Sequence, residues 1–238
     1  MNSPDLPYRI FSLGDAAITV DFGNRIDETI NNDVIARFNQ LRQEPLPGMI
    51  EAVPAYSSLS IYYDITALRK KIPPGQTVYE WMKGQLEERL KQPVQQDQIT
   101  GRLLRIPVCY DEEFARDIQT LAGTKNISVE EVIQIHVSKK YKVYMLGFLP
   151  GFPYMGEVDE RIAMPRKAQP AKIKEGSVGI AGKQTGIYPL ASPGGWQIIG
   201  RTPLKLFDIA VEEPTLLRAG DIVQFYSITK NEFELIKY

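Results

Sequence analysis

The sequence has one cysteine, Cys109, and one histidine, His136. A single cysteine cannot form a disulfide within the chain, and one cysteine with one histidine cannot build a Cys/His metal cluster. The lack of cysteine pairs is typical of proteins from reducing compartments. We therefore expect a cytoplasmic protein without a bound metal.

Long apolar runs and an excess of one charge are also missing. No stretch approaches the roughly 20 apolar residues of a membrane-spanning helix, and the first residues lack the basic start and apolar run of a signal peptide. The formal net charge of −1 argues against a general nucleic-acid or membrane-surface binder. The 238 residues, 43% of them hydrophobic, suffice for two domains of about 100–140 residues.

The N-terminal part of the chain alternates between strand and helix patterns. Residues 16–22 alternate in polarity, and apolar residues recur at helical spacing after Asp27. Residues 50–54 and 57–64 are rich in strand formers, and a capping box at residues 77–80 opens a second helix. This order predicts a small α/β sandwich in which both helices pack on one face of a sheet.

A polar stretch, residues 92–100, predicts a domain boundary that divides the chain into 1–97 and 98–238. The second part is expected to begin with a strand at 102–109 and helices at 112–122 and 129–140. Helical periodicity then ends, and short apolar runs separated by glycine and proline predict a β-barrel or sandwich. These runs are 141–146, 177–181, 196–199, 204–209 and 222–229.

Glycine and proline are concentrated between residues 147 and 203. This segment holds ten of the chain's 18 glycines and seven of its 17 prolines. Glycine lets the backbone approach a ligand closely or adopt a positive φ, and such loops can present N–H groups to an oxyanion. A small barrel also needs many tight turns, so the pattern equally fits a purely structural interpretation.

The same region is basic. From Arg161 to Arg201 there are seven arginines and lysines against one acid, Glu175, in a chain whose net charge is −1. Such an excess attracts carboxylates or phosphates, although a solvated basic face also explains a lysine run. Lys183 and Arg201 stand apart, because each lies among glycines and uncharged residues. Neither a Walker A loop nor a nucleophile elbow is present.

The single histidine, His136, is either a satisfied core residue or a catalyst. His136 shares a helix face with Val129, Val132 and Ile133, where a histidine is more often a satisfied core residue than a catalyst. Cys109, near a strand end, is interpreted as a small core residue.

Two segments carry a resemblance to a known family. They are Gly147-Phe-Leu-Pro-Gly-Phe-Pro-Tyr-Met-Gly156 and the run 176–203, which contains Gly-Lys-Gln-Thr-Gly-Ile-Tyr-Pro and Ser-Pro-Gly-Gly-Trp. With these strings the sequence resembles the family called allophanate hydrolase subunit 1, a carboxyltransferase subdomain C and D family. That family contains B subunits of bacterial ATP-dependent 5-oxoprolinase and inhibitors of sporulation kinases. Leu13-Gly-Asp15 and Ile106-Pro-Val-Cys-Tyr110 also match in place, so the resemblance covers nearly the whole chain.

The resemblance implies an α+β protein, with a small α/β N-terminal domain followed by a cyclophilin-like β-barrel. It also implies a heteromeric complex with a C subunit in direct contact and an A subunit, in which ATP hydrolysis drives the opening of 5-oxo-L-proline to L-glutamate. No cofactor would be covalently bound. Two alternatives stay open: direct inhibition of a sporulation histidine kinase, and a carboxyltransferase component of a urea carboxylase-type system, with biotin arriving on another protein.

On this interpretation the basic, glycine-rich region supplies the site. Lys183, Arg201 and His136 are the candidate catalytic residues: the two cations would hold a carboxylate or phosphate, and His136 would orient the reactants. Arg166 and Tyr188 are candidate substrate-binding side chains, and loops 147–151 and 193–195 would donate backbone N–H groups. The remaining substrate-binding candidates are Gly147, Phe148, Gly151, Gln184, Thr185, Pro193 and Gly194.

Overall fold

A computed structural model of the chain describes residues 7–94 and 101–236. The chain divides into two compact units, Met1–Thr100 and Gly101–Tyr238. The predicted domain boundary between residues 97 and 98 falls within 95–100, outside the described residues, and stays a prediction. Within the two described ranges, no helix is both long and apolar enough to cross a membrane.

The first unit contains a four-stranded antiparallel sheet and helices in residues 7–94. Its strands lie in the order β1-β2-β4-β3 across the sheet. They are β1 (Arg9–Ser12), β2 (Ala17–Asp21), β3 (Met49–Pro54) and β4 (Ser58–Tyr63), and the helices are α1 (Glu28–Gln43), α2 (Ile65–Arg69) and α3 (Val78–Leu90).

Both long helices of this unit begin where the sequence places their caps. The Asp27 carboxylate accepts hydrogen bonds from the N–H groups of Thr29 and Ile30 at 2.9 and 3.1 Å. At the start of α3, Thr77 and Glu80 form the predicted capping box. These bonds fix the helix ends because they satisfy N–H groups that have no partner inside the helix.

One apolar core joins the sheet to its helices. Ile18 lies opposite Ile61 and Val20 opposite Leu59, so these four side chains share one face of the sheet. They form one cluster with buried residues of α1 and α3, namely Ile30, Val34, Leu41, Met82, Leu86 and Leu90. The prediction that both helices pack on one sheet face is confirmed.

The second unit is built on a closed β-barrel. Its strands are β5 (Leu103–Cys109), β6 (Lys140–Leu146), β7 (Pro153–Gly156), β8 (Ala171–Ile173), β9 (Ser177–Ala181), β10 (Gln184–Ile187), β11 (Ser192–Gly194), β12 (Gln197–Arg201) and β13 (Ile222–Ile228). Strands β8 and β11 pair with each other, and the other seven close a barrel in the order β10-β7-β6-β13-β5-β12-β9. Its helices are α4 (Ile118–Lys125), α5 (Val129–Ser138) and α6 (Lys230–Ile236). The predicted α+β class with a C-terminal barrel is confirmed.

Two predicted elements of this unit are wrong in part. The helix expected at 112–122 begins only at Ile118, because the preceding residues form a turn closed on the Asp111 carbonyl. The run 204–209 is irregular, apart from an isolated bridge between Phe207 and Thr215. It is apolar because Leu206 is buried in the barrel core, not because it forms a strand.

Helix α6 was not predicted, although the sequence carries a signal for it. Thr229 and Glu232 have the spacing of a capping box. In the structure the Thr229 N–H donates to the Glu232 carboxylate at 2.7 Å, and the Glu232 N–H donates to the Thr229 hydroxyl at 3.3 Å. The helix is therefore capped in the same way as α3 and α5.

Candidate functional site

The two candidate catalytic cations, Lys183 and Arg201, lie near opposite ends of strand β9. Lys183 follows the C-terminal end of β9 in the turn to β10, whereas Arg201 pairs with Ser177 at its N-terminal end. A strand rises about 3.3 Å per residue, so the four steps from Ser177 to Ala181 put the two ends of β9 about 13 Å apart. Lys183 and Arg201 therefore do not converge on one small anion.

Lys183 is not isolated in space. Its Nζ donates to Glu160 Oε1 at 2.6 Å, and 53% of its side chain is exposed. The hydrogen bond to Glu160 raises the pKa of the lysine. Glu160 lies 23 positions earlier in the chain, so the sequence neighbourhood of Lys183 gave no indication of it.

Arg201 contacts the C-terminal helix. Its Nε donates to the Glu175 carbonyl at 2.7 Å, and its guanidinium lies 5.7 Å from the centre of the Phe233 ring. Phe233 is itself buried on α6. These contacts connect the turn before β9 to α6, which is a structural use of the side chain.

His136 lies inside the barrel with no exposed surface. The Thr185 hydroxyl donates to the Gly179 carbonyl, so it accepts from His136 Nε2–H at 3.1 Å. The other ring nitrogen, Nδ1, then accepts from the Tyr110 hydroxyl at 2.8 Å. The ring also stacks on Phe225 with centroids 4.6 Å apart. With both nitrogens engaged, the geometry gives His136 the role of a core residue and gives no support to its assignment as a catalyst.

Burial lowers the pKa of His136 to about 3. The unfolded chain takes up a proton near pH 6.5 and the folded chain does not. The stability that depends on a neutral His136 is therefore fully present above pH 6.5, and it is lost progressively as the pH falls from 6.5 toward 3. We expect the free energy of unfolding to drop by about 2 kcal/mol between pH 7 and pH 5.

This pH dependence can be assigned without ambiguity, since His136 is the only histidine. The NMR signal of its ring should not titrate between pH 8 and pH 5. The loss of stability over that range should be absent in His136→Gln. A ring signal with a midpoint near pH 6.5 would contradict the burial.

Aromatic side chains cluster at another part of the barrel. Phe152 lies at the centre, with its ring 4.9 Å from Tyr154, 5.1 Å from Tyr188 and 5.3 Å from Trp196, each in an edge-to-face arrangement. Phe148 completes the cluster at 6.5 Å from Tyr188, but 62% of it is exposed. Its φ of 67° is unusual for a bulky residue, and such strain is commonly found at ligand sites.

Two adjacent glycines bring charge and aromatic surface together. A Cβ on Gly194 would lie 2.3 Å from the Tyr188 hydroxyl, so only glycine fits beside this ring. A Cβ on Gly195 would lie 3.6 Å from Arg166 Nε, so the guanidinium group lies close to Gly195. We call the group formed by Phe148, Arg166, Tyr188, Gly194 and Gly195 the Tyr188 site.

The Tyr188 site is positively charged. Burial raises the pKa of Tyr188, while the Trp196 backbone N–H, which donates to the hydroxyl, and the nearby Arg166 and Arg116 act in the opposite direction. Arg166 also lowers the pKa of Tyr154, against a larger effect of burial. None of the ion pairs in the described ranges involves Arg166.

An acidic residue that the sequence analysis missed holds this region in place. Asp117 accepts from Lys167 Nζ at 2.6 Å and from the Ile198 N–H at 2.7 Å. The Lys167 N–H donates to the Gly195 carbonyl at 2.6 Å. The Arg166 segment is therefore fixed to both α4 and β12. No sequence signal joins Asp117 to Lys167, which lies 50 positions away.

The structure brings together about half of the predicted site residues. Phe148, Gly194 and Arg166 each lie near Tyr188, and Pro193 lies beside Gly194 on β11. Gly147 and Gly151 shape the neighbouring loop, where the Gly147 N–H donates to the Phe152 carbonyl and Gly151 has a φ of 79°. Gln184 lies at the Lys183 end of β9 and Thr185 in the core, so both are separate from the Tyr188 site.

Comparison with known proteins identifies the family of the chain. Residues 8–217 match a family model described as carboxyltransferase domain, subdomain C and D. The chain is 46% identical over 232 residues to the B subunit of the 5-oxoprolinase of Bacillus subtilis (strain 168), covering 97% of both chains. It is 36% identical over 218 residues to the B subunit of the 5-oxoprolinase of Escherichia coli O157:H7, covering 91% of this chain and 94% of the other.

More distant or longer proteins also match. The urea amidolyase of Lachancea kluyveri is 26% identical over 268 residues, which cover 98% of this chain and 14% of that one. The crystal structure of TTHA0988 aligns with a TM-score of 0.76 at 36% identity, covering 90% of this chain. This chain spans only 40% of that solved chain.

Proposed function

Because this chain belongs to the carboxyltransferase family of subdomains C and D, we propose that it acts as the B subunit of a 5-oxoprolinase. The complex opens the lactam ring of 5-oxo-L-proline to L-glutamate and hydrolyses ATP. The observation that carries this proposal is the 46% identity to the B subunit of a 5-oxoprolinase over 97% of both chains. An alignment of this length matches the whole relative, not one shared domain.

The placement of the candidate residues supports a subunit rather than an enzyme complete in itself. Lys183 and Arg201 lie at opposite ends of β9, and His136 is enclosed in the core. A lactam is an unreactive amide, so its opening needs several charged groups and hydrogen-bond donors around one carbonyl. We assign the missing groups to the partners, a C subunit in direct contact and an A subunit, and ATP hydrolysis to the complex.

A second candidate function follows from the urea amidolyase match. This chain would then be a carboxyl-transferring component of a urea carboxylase-type system, in which biotin is carried by another protein. The lower identity, 26%, and the 14% coverage of that relative make this the weaker proposal. Inhibition of a histidine kinase stays a prediction, which an autophosphorylation assay with purified kinase would test.

Assembly is the first test of the proposal. Coexpressed with the A and C subunits encoded in its own genome, this chain should elute with the C subunit as one species in size-exclusion chromatography. Coexpression with a biotin carboxylase from the same genome provides the comparison for the second candidate. Elution of this chain apart from the C subunit at micromolar concentration would contradict the proposal.

A further inference from the structure

We propose that the Tyr188 site binds the carboxylate of a small ring-shaped substrate, with Arg166 holding the carboxylate and the aromatic side chains holding the ring. This inference rests on the proposed function for the identity of that substrate, 5-oxo-L-proline. It assigns the substrate to one face of this chain and replaces Lys183 and Arg201 as the anion-binding groups.

Arg166 differs from three basic residues of the region that are ion-paired. Lys183 is paired with Glu160, Lys167 with Asp117, and Arg161 with Asp159. Arg166 has no such partner within the described residues. Lys172 and Lys174 have no ion pair there either, but the Arg166 side chain lies against Gly195 and close enough to Tyr188 to lower its pKa. A guanidinium group can hold both oxygens of a carboxylate through two parallel hydrogen bonds.

The aromatic side chains of the Tyr188 site provide a contact surface for the ring of the ligand. Phe148 is mostly exposed and is held in a strained backbone conformation beside the buried Tyr188. Phe148 and Arg166 both lie near Tyr188, so an apolar contact surface and an anion-binding group are found around the same side chain. Ligand sites typically combine a mainly apolar lining with a few polar groups that fix orientation.

The supporting residues keep the two parts together. Asp117 fixes Lys167, the neighbour of Arg166, and Lys167 donates its N–H to Gly195. Asp117 and Lys167 are thus positioning residues, since they act through Arg166 and Gly195. Arg116 is already paired with Asp117 at 3.6 Å, so Arg166 is left to hold the ligand. One guanidinium group matches a single carboxylate better than the several charges of a triphosphate.

Calorimetric titration tests this assignment directly, with the chain alone and with its complex. The ligands are 5-oxo-L-proline, 2-pyrrolidone (the same ring without a carboxylate), ATP and inorganic phosphate. The variant Arg166→Gln should weaken binding of 5-oxo-L-proline by about 10- to 100-fold and leave that of 2-pyrrolidone unchanged. In the active complex it should raise KM by the same factor with little change in kcat.

Matched variants complete the experiment. Arg161→Gln removes an exposed arginine that is already paired, and should change neither affinity nor KM. Phe148→Ala should weaken both ring ligands to a similar extent, because it removes surface and not charge. Asp117→Asn should raise KM less than Arg166→Gln does, without changing kcat.

Equal affinity of the wild type and Arg166→Gln for 5-oxo-L-proline would overturn the site assignment. So would a variant Arg166→Gln that weakens binding of ATP or phosphate but not of 5-oxo-L-proline. A third such result is that neither the chain nor the complex binds 5-oxo-L-proline. Loss of assembly in Arg166→Gln, with unchanged ligand affinity, would identify a subunit-docking surface and also overturn it. If the Arg166→Gln complex is active with an unchanged KM, the site assignment is wrong but the proposed function is not affected. If the wild-type complex has no activity, the proposed function itself is contradicted.

Discussion

Replacing His136 by leucine is expected to lower the free energy of unfolding of the second unit by about 2–4 kcal/mol. The substitution leaves the Tyr110 hydroxyl without its acceptor in the barrel core and removes a donor from Thr185. It also removes the stacking of the imidazole on Phe225. Chemical denaturation monitored by circular dichroism gives the loss.

A double variant separates the hydrogen bond from the packing. Tyr110→Phe should be destabilising in the wild type and nearly neutral when His136→Leu is present, because it removes the hydroxyl that His136→Leu leaves without an acceptor. The assembled enzyme should keep its kcat in this double variant at a temperature where it is folded. A loss of more than 100-fold in kcat in an intact complex would show that His136 is a catalyst.

Introducing a methyl group at Gly194 is the second change with a large expected effect. The new Cβ of Gly194→Ala would lie 2.3 Å from the Tyr188 hydroxyl and 2.8 Å from two of its ring carbons. Tyr188 cannot move freely, because Phe152 packs on its ring and the Trp196 N–H bonds to its hydroxyl. The ring must shift by about 1 Å, which costs about 1–3 kcal/mol of stability.

The same shift should lower kcat/KM for 5-oxo-L-proline by about 100-fold, since a displacement of this size in a binding site has an effect of that order. Gly123→Ala is the matched control: Gly123 lies on α4 with nothing within 4 Å of the new methyl group, and the variant should be as stable as the wild type or slightly more so. Equal activity of Gly194→Ala and Gly123→Ala would place the substrate away from Tyr188.

The parts of the fold that the sequence predicted are those with strong local signals. The caps at Asp27 and Thr77 fixed two helix starts, because capping depends on residues within one turn. Strands β7 and β11 were missed because they are short and contain proline or glycine, which are poor strand formers. They exist because the neighbouring strands complete their hydrogen bonds, which no local pattern reveals.

The region of the candidate site could be predicted from local sequence, but the ion pairs within it could not. The concentration of glycine and of positive charge located the region that contains Arg166, Tyr188 and Gly194. Local sequence could not show that Lys183 is paired with Glu160 or that Asp117 holds Lys167, since those pairs join residues 23 and 50 positions apart. The isolation of Lys183 in the sequence was therefore not isolation in space.

The central claim is that this chain is a required subunit of a lactam-opening enzyme, and an omission experiment tests it most directly. Purified A and C subunits are mixed with ATP and 5-oxo-L-proline, with and without this chain, and L-glutamate and phosphate are measured. We expect L-glutamate formation that depends on ATP and appears only when this chain is present. An equal rate of L-glutamate formation without the chain, or none with all three subunits assembled, would contradict it.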